Sequence, residues 1–489
     1  MHVVFMRRLK RIAGTVPEAG RLLDALDGLD AMTLRPVMGD TALRCAIQHA
    51  TWRVERGWQG GLGPDLCADL FRETTALLEQ GCTRAPLEFG AARPDRLGLE
   101  HHSGWIWNNE HADDPALRAF QYLVKQNYDA FLCSPNEEEI EGLRQGTQLL
   151  TELMPRLSRS ALSHTHVVGI CPQEGRWKGS ASSSQFRLTG TIFLDRASVS
   201  DPWWVVEHMF HEALHQKLYD FRHGHTLFEP YDPSREGRTI QSPWNSFAGD
   251  SNRWDAFRAF AAFHVYVHLA LLGALAEQRH SELRDEDPGP AGPIRVISSR
   301  KAIDRARYLG DALRSICWDQ LGAAGKRFHQ WLTDVLDVLD PAPGRADAYV
   351  HLLLDLYRNE TSRVSGSMDA DSAEILALAT EEAEATRSLL HDLAASEEEV
   401  RQFNATVSHH LGSGTATAHE RFREIRSCVS AAIQSLCRDG HHIEAVPGHP
   451  DPNETVWRMI QRSSERINIL LAPRKESLET VLTHSPRIG

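Results

Sequence analysis

Residues 201–221 read DPWWVVEHMFHEALHQKLYDF. Asp201 has the short acceptor side chain that caps a helix, and Pro202 suits the first turn, so a helix is predicted from Trp203 to Phe221. Within it Trp203, Val206, Met209, Phe210, Ala213, Leu214 and Leu218 wrap most of the circumference, the pattern of a buried helix. His211-Glu212-Ala213-Leu214-His215 is an HExxH motif. Residues i and i+4 share a helix face, so His211 and His215 present two neutral imidazoles that can grip one transition-metal ion.

A second imidazole pair lies downstream, His264 and His268 in FHVYVHL at 263–269. Its spacing is again i, i+4, in a predicted buried helix from Trp254 to Glu277. A buried polar pair costs free energy unless satisfied, so either both rings are hydrogen-bonded core histidines or one completes the metal site. His268 is the preferred third ligand, with His264 as its alternative or as a supporting group. The metzincin pattern fails, because Leu218 and Phe221 stand where Gly and His are required. The second helix offers no carboxylate between Arg258 and Ala276 for a gluzincin-type site, which leaves only Glu229 and Glu236 in the loop. Glu207 and Glu212 are candidate acceptors for the ligands' other ring N–H groups.

Outward from this core the chain is mainly helical. Apolar residues recur at helical spacing over 15–30, 41–53, 63–80, 116–131 and 137–154. Residues 166–171 (HVVGIC) and 187–194 (RLTGTIFL) are rich in β-branched residues and flank a Gly/Ser-rich stretch, which predicts a small hairpin-like sheet beside the metal helix. Residues 223–252 turn irregular, and long loops of this kind are often functional. Breaks are expected at Pro288–Pro293 and Pro341–Gly344, with further helices over 301–338, 346–391 and 397–437. The expected architecture is therefore mainly α with a small sheet next to the HExxH helix, divided into a catalytic region 1–345 (metal core about 160–280) and a C-terminal helical region 346–489 of unassigned role.

The chain has 489 residues and a net charge of −13, from 53 Lys and Arg against 66 Asp and Glu. That balance argues against nucleic acid as a partner. Eight cysteines include no CxxC pair, which disfavours both a disulfide framework and a thiolate zinc site and points to a reducing cytoplasm. The basic N-terminus has no apolar h-region after it, so no signal peptide is expected. The apolar run 259–276 contains two histidines and reads as a core helix rather than a membrane span.

HEALHQKL at 211–218, Pro243-Trp244, and HVYVHL at 264–269 together resemble the HExxH-motif peptide-modification proteins, whose genes lie beside those of ribosomally made peptide precursors. The resemblance covers about 165–276. It implies an Fe(II)- and 2-oxoglutarate-dependent peptide β-hydroxylase with His211, His215 and His268 as iron ligands and a precursor peptide as substrate. Three protein ligands leave room on iron for 2-oxoglutarate and O2. The distal carboxylate of 2-oxoglutarate needs a cation, for which Arg253, Arg258 and Lys217 are the candidates. Glu212 and His264 are then the catalytic or supporting groups, and Trp244 and Trp254 candidate pocket walls. Two alternatives stay open: a zinc metallopeptidase with Glu212 as general base, and a non-catalytic peptide-binding protein with a structural metal.

Overall fold

The computed structural model describes residues 2–82, 104–109, 115–178, 180–230, 237–247, 252–286, 296–343, 349–365, 372–393, 396–414, 416–438 and 442–471. Glu236 and the break at Pro288–Pro293 lie outside the described residues. The chain is mainly helical with a small mixed sheet, as expected. It opens with α1 (His2–Ile12), α2 (Pro17–Leu26), α3 (Ala31–Gly39), α4 (Thr41–Arg56) and α5 (Pro64–Glu79). Then come β1 (Trp105–Ile106), α6 (Pro115–Tyr128), α7 (Glu137–Leu153), α8 (Pro155–Leu162), β2 (Val167–Cys171), β3 (Ser182–Ser184), β4 (Thr191–Asp195) and α9 (Pro202–Gly224). The chain continues through β5 (Ile240–Gln241), β6 (Arg253–Trp254), α10 (Ala256–Glu286), α11 (Ser299–Ile316) and α12 (Ala323–Leu339). It closes with α13 (Val350–Ser365), α14 (Ser372–Asp392), α15 (Glu397–Gly412), α16 (Ala418–Leu436), β7 (Cys437–Arg438), β8 (His442–Ile443) and α17 (Pro452–Leu470).

Two compact units divide the chain, and they interleave in sequence. The first holds Met1–Ser234, Phe260–Ala306 and Trp318–Leu339; the second holds Arg235–Ala259, Arg307–Cys317 and Asp340–Gly489. The expected division was contiguous, at 345/346. Contacts instead assign two earlier stretches to the same unit as the C-terminal helices.

In the first unit the sheet order is β1-β2-β4-β3. β2 and β4 run parallel, pairing Val167 with Thr191 through to Cys171 with Asp195, and β3 pairs antiparallel with β4 at the edge. The hairpin expected from 166–171 and 187–194 is therefore corrected. The Ser-rich stretch between them forms a strand of its own, so the chain reverses twice and β4 returns parallel to β2. Both strands are wholly buried, which is why they read as continuous apolar runs rather than alternating ones.

α9 is held from two sides. Asp201 caps it, its carboxylate accepting from the backbone N–H groups of Trp203 (3.1 Å) and Trp204 (3.4 Å). On the sheet side, buried Gln216 donates to the carbonyls of Leu188 (3.1 Å) and Thr191 (2.7 Å) and accepts from Gly190 N–H (2.8 Å). Gly190 has φ +71°, and a Cβ there would stand 2.5 Å from His166 and Thr41 side-chain atoms, so only glycine closes this turn. Behind α9 packs α7, whose Gly142 and Gly146 remove side chains where the backbone at Val199 and the Val205 side chain press in. The buried residues of α10 inside this unit include Phe260, Phe263, His264, Val267 and His268. α10 is long and apolar enough to cross a membrane over Ala256–Glu282, and 72 % of its most apolar stretch is buried within the fold.

The second unit has its own apolar cluster, drawn from α13–α17 and including Tyr357, Phe422 and Ile460. Arg426 is buried inside it. Its guanidinium lies 3.2 Å from Glu382 and 3.6 Å above the Tyr357 ring, so charge and cation–π contact together offset its desolvation.

Candidate metal centre

His211 and His215 point their Nε2 atoms at one another across 3.2 Å. Two nitrogens each about 2.0–2.1 Å from a common ion, at angles between square and tetrahedral, would stand ~2.9–3.4 Å apart. The pair therefore already has the spacing a shared divalent ion needs. Burial pushes the His211 imidazole down to about 4 and holds His215 well below its ordinary value, with His211 adding to the effect. Both rings are thus neutral near pH 7, the form that binds a metal. The His211 side chain remains 29 % open to solvent, which leaves one side of the pair approachable. His215 continues one turn on into Tyr219, whose ring stacks on it at 6.1 Å.

Glu212 is buried and faces the sheet. Ser182 donates to its Oε1 at 2.7 Å, and the Oε1 atom stands 3.9 Å from His211 Nε2. Burial raises the Glu212 carboxyl, opposed by hydrogen bonds from the hydroxyls of Ser184 and Ser182. Glu207 does not support a ring of the pair in the way the sequence suggested. Its carboxylate accepts from the backbone N–H of Ile297 at 2.6 Å.

The second pair sits on α10. His264 is fully buried, and neither of its ring nitrogens has a hydrogen-bond partner. Burial, then His268, Lys217 and His215, holds its imidazole far below the usual value. His268, 4.6 Å away ring to ring, is also buried; its Nδ1 donates to the His264 carbonyl at 2.8 Å, which fixes the tautomer and leaves Nε2 as an acceptor. Burial pushes His268 down to about 4, with Lys217 contributing, whereas its carbonyl bond works the other way. The structure thus builds two imidazole pairs. Among the described residues no three His, Cys, Asp or Glu side chains meet as a ready-made metal cage.

The cation candidates separate. Lys217 lies in the first unit, half-buried on α9, with its ammonium donating to Ser160 Oγ at 2.9 Å and 5.7 Å from the Phe221 ring. Arg253 and Arg258 fall in the second unit, Arg253 on β6 and Arg258 in the first turn of α10, where its guanidinium lies 5.0 Å above the Trp254 ring. Trp244 and Trp254 also belong there, edge to face at 5.8 Å, with Tyr308 a further 5.8 Å from Trp244. They form an aromatic cluster of that unit. Glu229 is engaged through its backbone N–H, which donates to the Gln320 carbonyl at 2.9 Å.

Three contributors escaped the sequence reading. Ser182 and Ser184 alternate on β3, so both hydroxyls face α9, a period of two that the Ser-rich composition concealed. Tyr219 was legible as the next i+4 position after His215 and went unread. Compared with protein-family models and with curated proteins, the chain has no match.

Proposed function

We propose that this chain is a metal-dependent enzyme acting on a peptide, an Fe(II)/2-oxoglutarate-dependent oxygenase that hydroxylates a β-carbon of a ribosomally made precursor. The observation that carries the reading is the imidazole set: two Nε2 atoms 3.2 Å apart on α9, and on α10 a fully buried His264 with both nitrogens unpartnered. Such a ring costs free energy where it stands unless it has something to bind. In this proposal His211 and His215 are two ligands and His264 the third, with His268 behind it; the expectation from sequence placed His268 in the ligand position.

When bound, iron with 2-oxoglutarate and O2 supplies the oxidising power for C–H hydroxylation. The remaining work belongs to the chain. Glu212, bound by the Ser182 hydroxyl, orients the rim of the metal pair. Lys217 is the candidate cation that shares electrostatic range with both α10 imidazoles, and it is assigned to the co-substrate's distal carboxylate. β3 offers the peptide an edge: it is the last strand of its sheet and lies against the HExxH helix. All eight cysteines are free thiols, which suits a cytoplasmic enzyme.

One observation favours a second reading. Glu212 Oε1 lies 3.9 Å from His211 Nε2, close enough to reach a water bound to an ion on the pair, as a zinc metallopeptidase requires. The two readings separate in one experiment. The protein, reconstituted anaerobically with iron and given 2-oxoglutarate, O2 and the candidate precursor, is expected to form succinate and a peptide heavier by one oxygen atom. His211→Ala and His264→Ala are expected to lose both products. Peptide cleavage by the zinc-loaded protein, abolished in Glu212→Gln with metal retained, overturns the oxygenase in favour of the hydrolase.

A further inference from the structure

A cavity of about 510 Å³ opens in the first unit between α1, α4, the turn after β3 and the end of α9. Arg8, Arg56, Arg187 and Arg222 line it, and among the described residues no Asp or Glu does. In a chain of net charge −13 that concentration of guanidinium makes the cavity locally attractive to an anion.

Arg8 Nη2 donates to His223 Nδ1 at 3.1 Å, so the proton of that imidazole sits on Nε2. His223 Nε2 and Arg8 Nη1 are both buried and have no partner. Two N–H groups taken out of water and left unmatched cost free energy, which marks this end of the cavity as an electrostatically crowded one. Burial, then the neighbouring Arg11, Arg44 and Arg56, pushes Arg8 down to about 10, the signature of a cation crowded by its own kind. The walls are aromatic. Phe186 stacks on the His223 ring at 4.6 Å, Arg222 lies 4.6 Å above Phe186, and Arg187 lies 4.8 Å above Trp58.

The cavity continues the candidate metal centre. Phe186 follows β3 by two residues and meets Tyr219 edge to face at 5.7 Å, and Tyr219 in turn stacks on His215. A peptide laid along the outer edge of β3 would pass the metal pair and run on towards Phe186 and Arg187.

We propose that this cavity is a subsite for an acidic, aromatic-bearing segment of the peptide substrate, whose carboxylate is held by Arg56, Arg187 and the arginines beside them. The assignment rests on the reading that the substrate is a peptide. Its carboxylate pairs with the exposed guanidinium groups of Arg56 and Arg187, and its ring packs among Trp52, Trp58 and Phe186.

Calorimetric titration of the full chain with a capped Asp-Phe-Asp-Phe-Asp peptide tests it, against the same peptide with Asn for every Asp. The Asp peptide is expected to bind about tenfold more tightly, with an advantage that shrinks as salt rises. Arg56→Gln combined with Arg187→Gln, both at exposed positions, is expected to weaken the Asp peptide about tenfold and leave the Asn peptide unchanged. His211→Ala is expected to bind it as the unaltered chain does, so a failed oxygenase assay leaves this result standing. Equal affinity for the two peptides, or full affinity in the double variant, overturns the proposal. Displacement of the Asp peptide by succinate or inorganic phosphate at equal concentration also overturns it, marking a small-anion site instead.

Discussion

At the scale of single residues, the chemistry of this protein lies in buried imidazoles kept neutral by their surroundings. His49 shows the principle away from the metal pair. It is fully buried, its Nδ1 accepts from Leu62 N–H at 2.8 Å, and its Nε2 donates to the Arg187 carbonyl at 2.9 Å. A second proton would have to enter where an N–H already points. Burial, with Arg187 and Arg53 nearby, accordingly pushes His49 down to about 4, against the upward pull of its bond to the Arg187 carbonyl. The unfolded ring titrates near about 6.5. Below that value the unfolded state binds the proton and the folded state does not, so stability falls as pH drops from about 6.5 towards 4. His49→Gln is expected to flatten that slope by on the order of 1–3 kcal/mol across the window, read from urea midpoints at successive pH values. An unchanged slope would show that His49 takes up its proton in the folded state.

Histidine identity and spacing were legible in the sequence, because i, i+4 is a local relation that any helix enforces. The different surroundings of the two α10 rings were not. His264 and His268 share one face, and their different surroundings come from what packs around that face: Phe328 lies 5.2 Å from the His264 ring, and Phe210 lies 6.2 Å from the His268 ring. Lys217, on another helix, contributes with burial to the lowered proton affinity of both α10 rings, a relation that no sequence spacing announces.

At the scale of elements, the position of α9 depends on what α7 lacks. A Cβ on Gly142 would stand 2.3 Å from the Val199 carbonyl oxygen, a backbone atom that cannot rotate away. Gly142→Ala is expected to cost about 1–3 kcal/mol by forcing the turn that leads into α9 away from α7, and to weaken metal binding along with stability. Gly39→Ala is the matched control, since a Cβ there meets nothing within 4 Å. It is expected to be neutral or to stabilise by up to about 1 kcal/mol. Denaturant midpoints compare the two, and equal effects would remove the packing argument. The same scale explains the sheet. Residues 166–171 and 187–194 announced strands by composition, but pairing direction is a non-local property set by the path of the chain between them, and that path includes β3.

At the scale of the whole molecule, an ion that binds only the folded chain must raise its stability by mass action. At about a hundredfold excess over the dissociation constant the gain is ~2.7 kcal/mol. Adding Fe(II) under anaerobic conditions, or Zn(II), is therefore expected to raise the melting temperature, chelator to reverse it, and His215→Ala to show no shift. A chain whose melting is indifferent to both metals would leave the imidazole pairs as core groups. The interleaving of the two units is also a property of this scale. Residues 235–259 and 307–317 belong with the C-terminal helices although the N-terminal unit surrounds them in sequence, and no local pattern in those stretches announces it.

The sequence by itself determined the mainly helical class, the cap that starts α9 and the register that puts His211 and His215 on one face, because each follows from interactions within a few residues. The tertiary structure alone decided that β2 and β4 run parallel, that the Ser182 hydroxyl from β3 binds Glu212, that His268 bonds a backbone carbonyl while His264 has no partner, and that Arg8 and His223 line a common cavity. These are choices among helix rotations and strand orders that local propensity leaves nearly equal in energy. They are settled by long-range packing, in which a missing side chain at Gly142 or Gly190 counts for as much as those that are present.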